Sequence, residues 1–130
     1  MRPMILVAED DPDLQSLVRH CLEGDGYMVR VAGDGHEALE LFRDLKPDLL
    51  ILDVMMEEPD DGLRMARDLR RKGHTLPILM LTSVNQALGI HIGADPEIVP
   101  VDDFQEKPAD PVALVQKVRK LLEGKAGASC

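Results

Sequence analysis

The sequence predicts an α/β domain built on a doubly wound, five-stranded parallel sheet. Short apolar runs alternate with segments of helical periodicity along the 130 residues, and five such rounds are countable. Two of the runs, Leu49-Leu50-Ile51-Leu52 and Ile78-Leu79-Met80-Leu81, are continuously apolar, the pattern of strands covered by helices on both faces rather than wet on one. Proline and glycine punctuate the helical segments where starts and stops are needed.

The elements follow in order. The first strand is Met4 to Ala8, and Leu14, Leu17, Val18, Cys21 and Leu22 then recur at helical spacing. Asp11-Pro12 supplies an N-cap and a proline at the first helical position, and Gly24 and Gly26 stop the helix. The second strand is about Met28 to Val31. Its helix carries Ala38, Leu39, Leu41, Phe42 and Leu45 after the turn residues Gly33-Asp34-Gly35, and Lys46-Pro47 ends it. The third strand, Asp48 to Asp53, should be central. A helix with Leu63, Ala66 and Leu69 follows, then the strand Pro77 to Leu81. The fifth round pairs a strand near Val101 to Phe104 with a helix opened by Asp110-Pro111 and stopped by Gly124, burying Val112, Leu114, Val115, Val118, Leu121 and Leu122. A domain over residues 1–123 and a mobile tail over 124–130 are expected. The fourth round is defective. Gly89, Gly93, Pro96 and Pro100 interrupt the stretch between Ser83 and Pro100, so a short helix near Asn85 to Ile90 and an irregular loop are expected there.

Composition removes several functions. Fifteen Lys and Arg against 24 Asp and Glu leave a net charge of −9, and there are two Phe, one Tyr and no Trp. Neither phosphate neutralisation nor base stacking is served, so no direct nucleic-acid binding is expected. No stretch approaches the roughly 18 apolar residues of a membrane span, and Met4-Ile5-Leu6-Val7 runs quickly into charge at Glu9. A soluble, cytoplasmic protein is expected. Cys21 lies in an apolar helical pattern and Cys130 in a Gly/Ala/Ser tail, which reads as a core thiol and an exposed terminal thiol rather than a disulfide.

In an open parallel sheet, ligands bind beyond the carboxyl ends of the strands. Those ends carry Glu9-Asp10-Asp11, Asp53, Thr82-Ser83 and, after the fifth strand, Phe104-Gln105-Glu106-Lys107-Pro108. Three carboxylates, a hydroxyl and an ammonium therefore converge on one rim. Glu9, Asp10 and Asp53 together repel strongly unless a cation lies among them. An all-oxygen set without His or Cys selects Mg²⁺, with Mn²⁺ as a substitute, over zinc. Asp11 reads as the helix cap alone.

The chain resembles the phosphoacceptor receiver domain of two-component response regulators over nearly its whole length. The resemblance rests on Ile5-Leu6-Val7-Ala8-Glu9-Asp10-Asp11-Pro12-Asp13, Pro47-Asp48-Leu49-Leu50-Ile51-Leu52-Asp53, Leu79-Met80-Leu81-Thr82-Ser83 and Glu106-Lys107-Pro108, in that order. It implies a flavodoxin-like (βα)5 fold with strand order 2-1-3-4-5. It also implies that Asp53 is the nucleophile that takes a phosphoryl group from a sensor histidine kinase or phosphotransfer protein. Asp10 and Asp53 would bind Mg²⁺ directly, the backbone carbonyl of Met55 would be a third ligand, and Glu9 would act through water. Lys107, before a cis peptide bond to Pro108, would pair with Asp53 and then with a phosphoryl oxygen. Thr82 would be the switch hydroxyl and Phe104 the switch aromatic. The domain would then control a partner or an output domain, and a homodimer is possible. It would be no enzyme beyond its own phosphorylation and dephosphorylation.

Two departures stand out. Glu57 occupies the usual proline position after the phosphoacceptor, and Asp61-Gly62 comes about one residue late, so the loop is longer and more acidic than typical. The helix-poor stretch between Ser83 and Pro100 would remodel a face that receivers commonly use for docking, and an order-disorder switch is expected over Gln86 to Val99. Met55 and Val84 are apolar where the family frames the attacking water, which predicts slow self-dephosphorylation. A receiver-like scaffold without phosphorylation is the alternative function. A flavin site is disfavoured because Glu9-Asp10-Asp11 would repel its phosphate. A phosphatase is disfavoured because Met55 stands where a second aspartate is needed.

Overall fold

A computed structural model describes residues 2–53, 61–82, 101–106 and 110–128. Among them, five parallel strands alternate with four helices: β1 (Met4–Ala8), α1 (Pro12–Gly24), β2 (Met28–Ala32), α2 (Gly35–Leu45), β3 (Leu49–Asp53), α3 (Asp61–Arg71), β4 (Ile78–Thr82), β5 (Asp103–Glu106) and α4 (Pro111–Ala128). The strands lie in the order β2-β1-β3-β4-β5. This is the flavodoxin-like, doubly wound fold expected from the sequence.

The sheet separates its side chains by their period of two. Leu6, Ala8, Leu50, Leu52, Ile78 and Met80 face one way and pack with Ala38 and Phe42 of α2 and Met65, Ala66 and Leu69 of α3. Ile5, Val7, Leu49, Ile51, Leu79 and Leu81 face the other way, onto Leu14, Val18 and Leu22 of α1 and Leu114 and Val118 of α4. Each of these twelve strand side chains is fully buried. The unbroken apolar runs therefore mark the interior strands, while β2 and β5 form the edges and are more polar.

Caps set the helix ends. Asp11 accepts the Asp13 N–H at 2.9 Å ahead of Pro12, as expected. Asp34 does the same for Glu37 at 2.8 Å. At the end of α1, Gly26 takes a left-handed φ of 94°, and its N–H and that of Tyr27 bond the carbonyls of Glu23 and Leu22. A side chain at that φ would be strained, so glycine suits the stop. Asp48 precedes β3 and fixes its entry: its carboxylate accepts the Met4 N–H at 2.8 Å, and its own N–H donates to the Met4 carbonyl at 2.8 Å.

The structure corrects two boundaries. β5 begins at Asp103, two residues later than the apolar Val101 suggests, because its register on β4 pairs Leu79 with Asp103 and Thr82 with Glu106. Val101 instead packs against the core just before the strand. Helix α4 continues past Gly124 to Ala128. Glycine in a helix interior costs about 1 kcal/mol against alanine, so Gly124 and Gly127 weaken the last turn without forbidding it. The short helix near Asn85 to Ile90, the proposed switch over Gln86 to Val99, the acidic residues Glu57, Glu58 and Asp60, and Cys130 lie outside the described residues. Cys21 is a half-buried free thiol.

α1 and α4 are clamped by a bidentate pair in which the Arg119 guanidinium meets the Asp25 carboxylate at 2.9 and 2.5 Å. The Arg119 hydrogen bond holds the Asp25 carboxyl below its ordinary value of 3.8, and Asp25 raises Arg119 in turn. Burial, joined by the Asp25 charge, pushes the neighbouring Tyr27 phenol up. A depressed carboxyl pKa stabilises the fold above the unfolded value and loses that contribution as pH falls through the folded one. Asp25→Asn should therefore lower the melting temperature slightly at neutral pH, with the gap to wild type closing below pH 3.8, as thermal unfolding across a pH series will show. In the core, Leu50→Ala should cost about 2–5 kcal/mol in urea unfolding, because truncation leaves a void in a fully buried site.

Candidate functional site

Strand pairing assembles the site. β1 and β3 run parallel with Ala8 opposite Leu52, so the next residue on each chain, Glu9 and Asp53, stand side by side at the carboxyl end of the sheet. The Glu9 N–H donates to the Ala32 carbonyl at 3.0 Å, which carries the β1–β2 ladder one residue beyond the strand. The side-chain amide of Gln15 donates to the Glu9 carbonyl from the first turns of α1. Glu9 Oε1 accepts the Asp11 N–H at 3.1 Å, so the chain reverses tightly into the helix and Asp10 sits at the bend.

Glu9 and Asp53 are 0% and 1% exposed, while Asp10 is open to solvent. Carboxylate oxygens from all three lie within 4.8 Å of one another. Two unit charges at that separation repel by about 3.5 kcal/mol at an effective dielectric near 20, and burial adds desolvation cost. The positive end of α1 begins just beyond Asp11 and relieves part of this. A hard divalent cation relieves more, and a donor set made only of carboxylate oxygens fits one. Asp11, whose side chain caps α1, stays out of the cluster, as expected.

The other rim residues divide. Thr82 is the last residue of β4; since Asp53 pairs with Leu81, the Thr82 backbone stands one residue beyond Asp53 on the adjacent strand. Phe104 pairs with Met80 and is buried in the α2/α3-side core at 9% exposure. Met55, Val84, Lys107 and the Lys107–Pro108 bond lie outside the described residues, although β5 ends at Glu106, immediately before Lys107.

Two positioning residues escaped sequence reasoning. Gln15 fixes the Glu9 carbonyl, and Lys117 of α4 donates its ammonium to the Phe104 carbonyl. Both bond main-chain oxygens, and a polar residue on the flank of an amphipathic helix leaves no periodic signal. Gln15 lies four residues after the cap Asp11, a spacing that returns it over the helix start.

Among the described residues no helix is long and apolar enough to cross a membrane. Residues 5–119 match the response regulator receiver domain family. The DNA-binding response regulator MtrA of Mycolicibacterium smegmatis is 40% identical over 94% of this chain and 51% of its own length. The alkaline phosphatase synthesis transcriptional regulatory protein PhoP of Bacillus subtilis is 36% identical over 94% of this chain and 49% of its own. The chain thus spans about half the length of these relatives. The receiver domain of the Francisella response regulator 1452 superposes with a TM-score of 0.83 at 27% identity, covering 95% of this chain and 99% of that one. Fold, acidic rim and sequence agree: the chain belongs to the response regulator receiver domain family of two-component signalling.

Proposed function

We propose that this domain accepts a phosphoryl group on Asp53 and relays the change to a partner or an output domain. The carrying observation is the cluster of Glu9, Asp10 and Asp53 at the carboxyl end of the sheet, beside the end of β4. Asp10, Asp53 and the Met55 carbonyl would hold Mg²⁺, with Glu9 acting through water. Bound there, the ion would supply positive charge that offsets the carboxylates and the phosphoryl oxygens.

Asp53 offers a carboxylate oxygen to the phosphorus of a phosphohistidine on a sensor histidine kinase or phosphotransfer protein. A P–O bond forms as the P–N bond breaks, leaving an acyl phosphate on Asp53 and a histidine on the donor. Burial of Asp53 keeps that anhydride from bulk water. The Lys107 ammonium would pair with Asp53 before transfer and with a phosphoryl oxygen afterwards. The Thr82 hydroxyl closes on the phosphoryl group, and Phe104 repacks in response. Lys117 holds the Phe104 carbonyl, so the side chain moves about a fixed backbone point. The domain carries out only its own phosphorylation and dephosphorylation, in the cytoplasm. The charge of −9 leaves DNA contact, of the kind named for MtrA, to parts of such regulators outside the matched half.

Incubation with Mg²⁺ and acetyl phosphate or phosphoramidate should add one phosphoryl group by intact mass, and Asp53→Ala should remove it. No adduct would overturn the reading in favour of a scaffold that binds partners without phosphorylation, and an adduct that survives Asp53→Ala would overturn Asp53 as the acceptor. Glu9→Gln should weaken Mg²⁺ binding by about 10–100-fold in a titration followed by amide NMR. Self-dephosphorylation should be slow, and Met55→Asn with Val84→Glu should shorten the half-life of the adduct, as a time course of intact mass will show.

A further inference from the structure

We propose that the end of the sheet opposite the acidic rim carries a second site, which binds a small aromatic anion: a carboxylate, sulfonate or phosphate borne on an aromatic ring. A cavity of about 390 Å³ opens between the last turn of α2 and the loop joining α3 to β4. Its apolar wall is Phe42, Pro47 and Leu76, and its polar lining includes Arg43, Lys46 and His74. That volume lies within the usual range for small-molecule sites, about 300–1,000 Å³. It sits at the amino end of β3, whose first residue, Leu49, is about 13 Å of strand from Asp53 at roughly 3.3 Å per residue.

Charge selects the ligand's sign. The chain is strongly acidic, at −9, yet this mouth is lined by an arginine, a lysine and a histidine. Arg43 and Lys46 make no ion pair among the described residues, so both guanidinium and ammonium remain available to an incoming anion. The aromatic wall selects its body. Phe42 meets the His74 ring edge to face, with centroids 4.8 Å apart and planes at 79°, and a flat ring can continue that arrangement.

The walls are fixed in advance. Lys46 ends α2 at a left-handed φ of 48°, its N–H bonded to the Phe42 carbonyl at 3.1 Å, and Pro47 follows. A left-handed lysine costs about 1 kcal/mol or more where glycine would cost little, so the surrounding turn must hold Lys46 in place. Across the cavity, Arg70 bonds the carbonyls of His74 and Leu76 at 3.1 and 2.7 Å and the Asp102 carboxylate at 2.8 Å. The backbone of the walls is thus held before a ligand arrives, and the ordering a ligand imposes falls on the Arg43 and Lys46 side chains.

Titration of the intact chain with 1-naphthalenesulfonate, followed by amide NMR, should give saturable shifts at residues 42–46 and 74–76. Inorganic sulfate and the uncharged 1-naphthalenemethanol should each bind about tenfold more weakly or worse, and Arg43→Gln with Lys46→Gln should weaken naphthalenesulfonate to the same extent. These two residues are surface side chains, so thermal unfolding of the double variant should match wild type. Absence of saturation, shifts centred elsewhere, equal binding of sulfate or of the alcohol, or binding indifferent to the double substitution would each overturn the proposal.

Discussion

The parallel pairing of β1 with β3 is the constraint on which everything else rests. With Ala8 opposite Leu52, the chain has no choice but to set Glu9 beside Asp53. That juxtaposition is unfavourable by itself, since like charges meet where water is scarce. It is tolerated because the same ladder buries two layers of leucine, isoleucine, valine and methionine on either side of the sheet. Apolar burial thus holds three carboxylates together against their mutual repulsion.

Around this seam the supporting contacts are mostly from side chain to main chain. Gln15 secures the Glu9 carbonyl, Asp48 secures the entry of β3, and Lys117 secures the carbonyl of Phe104. These three contacts fix backbone position without drawing on Glu9, Asp10 or Asp53 side chains. The Asp25–Arg119 pair does a similar service at longer range by joining the first and last helices, which pack on the same face of the sheet.

Much of this was legible in the sequence, for an identifiable reason. Interior parallel strands must be apolar on both faces, so Leu49 to Leu52 and Ile78 to Leu81 could hardly be anything else. The strand ends then fixed which acidic residues share a rim. Legibility failed where that rule loses force. β5 pairs on one side only and tolerates Asp103 and Glu106, so apolarity misplaced its start at Val101. Gly124 misled because glycine lowers helix stability without abolishing it, and the helix runs on through Gly127 as well. Gln15 and Lys117 were invisible because a bond to a carbonyl demands no particular neighbour in sequence. The cavity at Phe42 and His74 was equally hidden: it needs residues 42–47 and 74–76, which only the fold brings together.

The placement of β2 and β5 at the two margins of the sheet bears on how copies of this domain can meet. A strand margin is a row of unsatisfied main-chain donors and acceptors, and a neighbouring molecule can extend it. Here the two margins carry Arg30 and Asp103, and β5 is only four residues long. Charge and brevity discourage another copy from adding a strand at either side. Sheet continuation, a route that favours aggregation, is thereby discouraged at both margins.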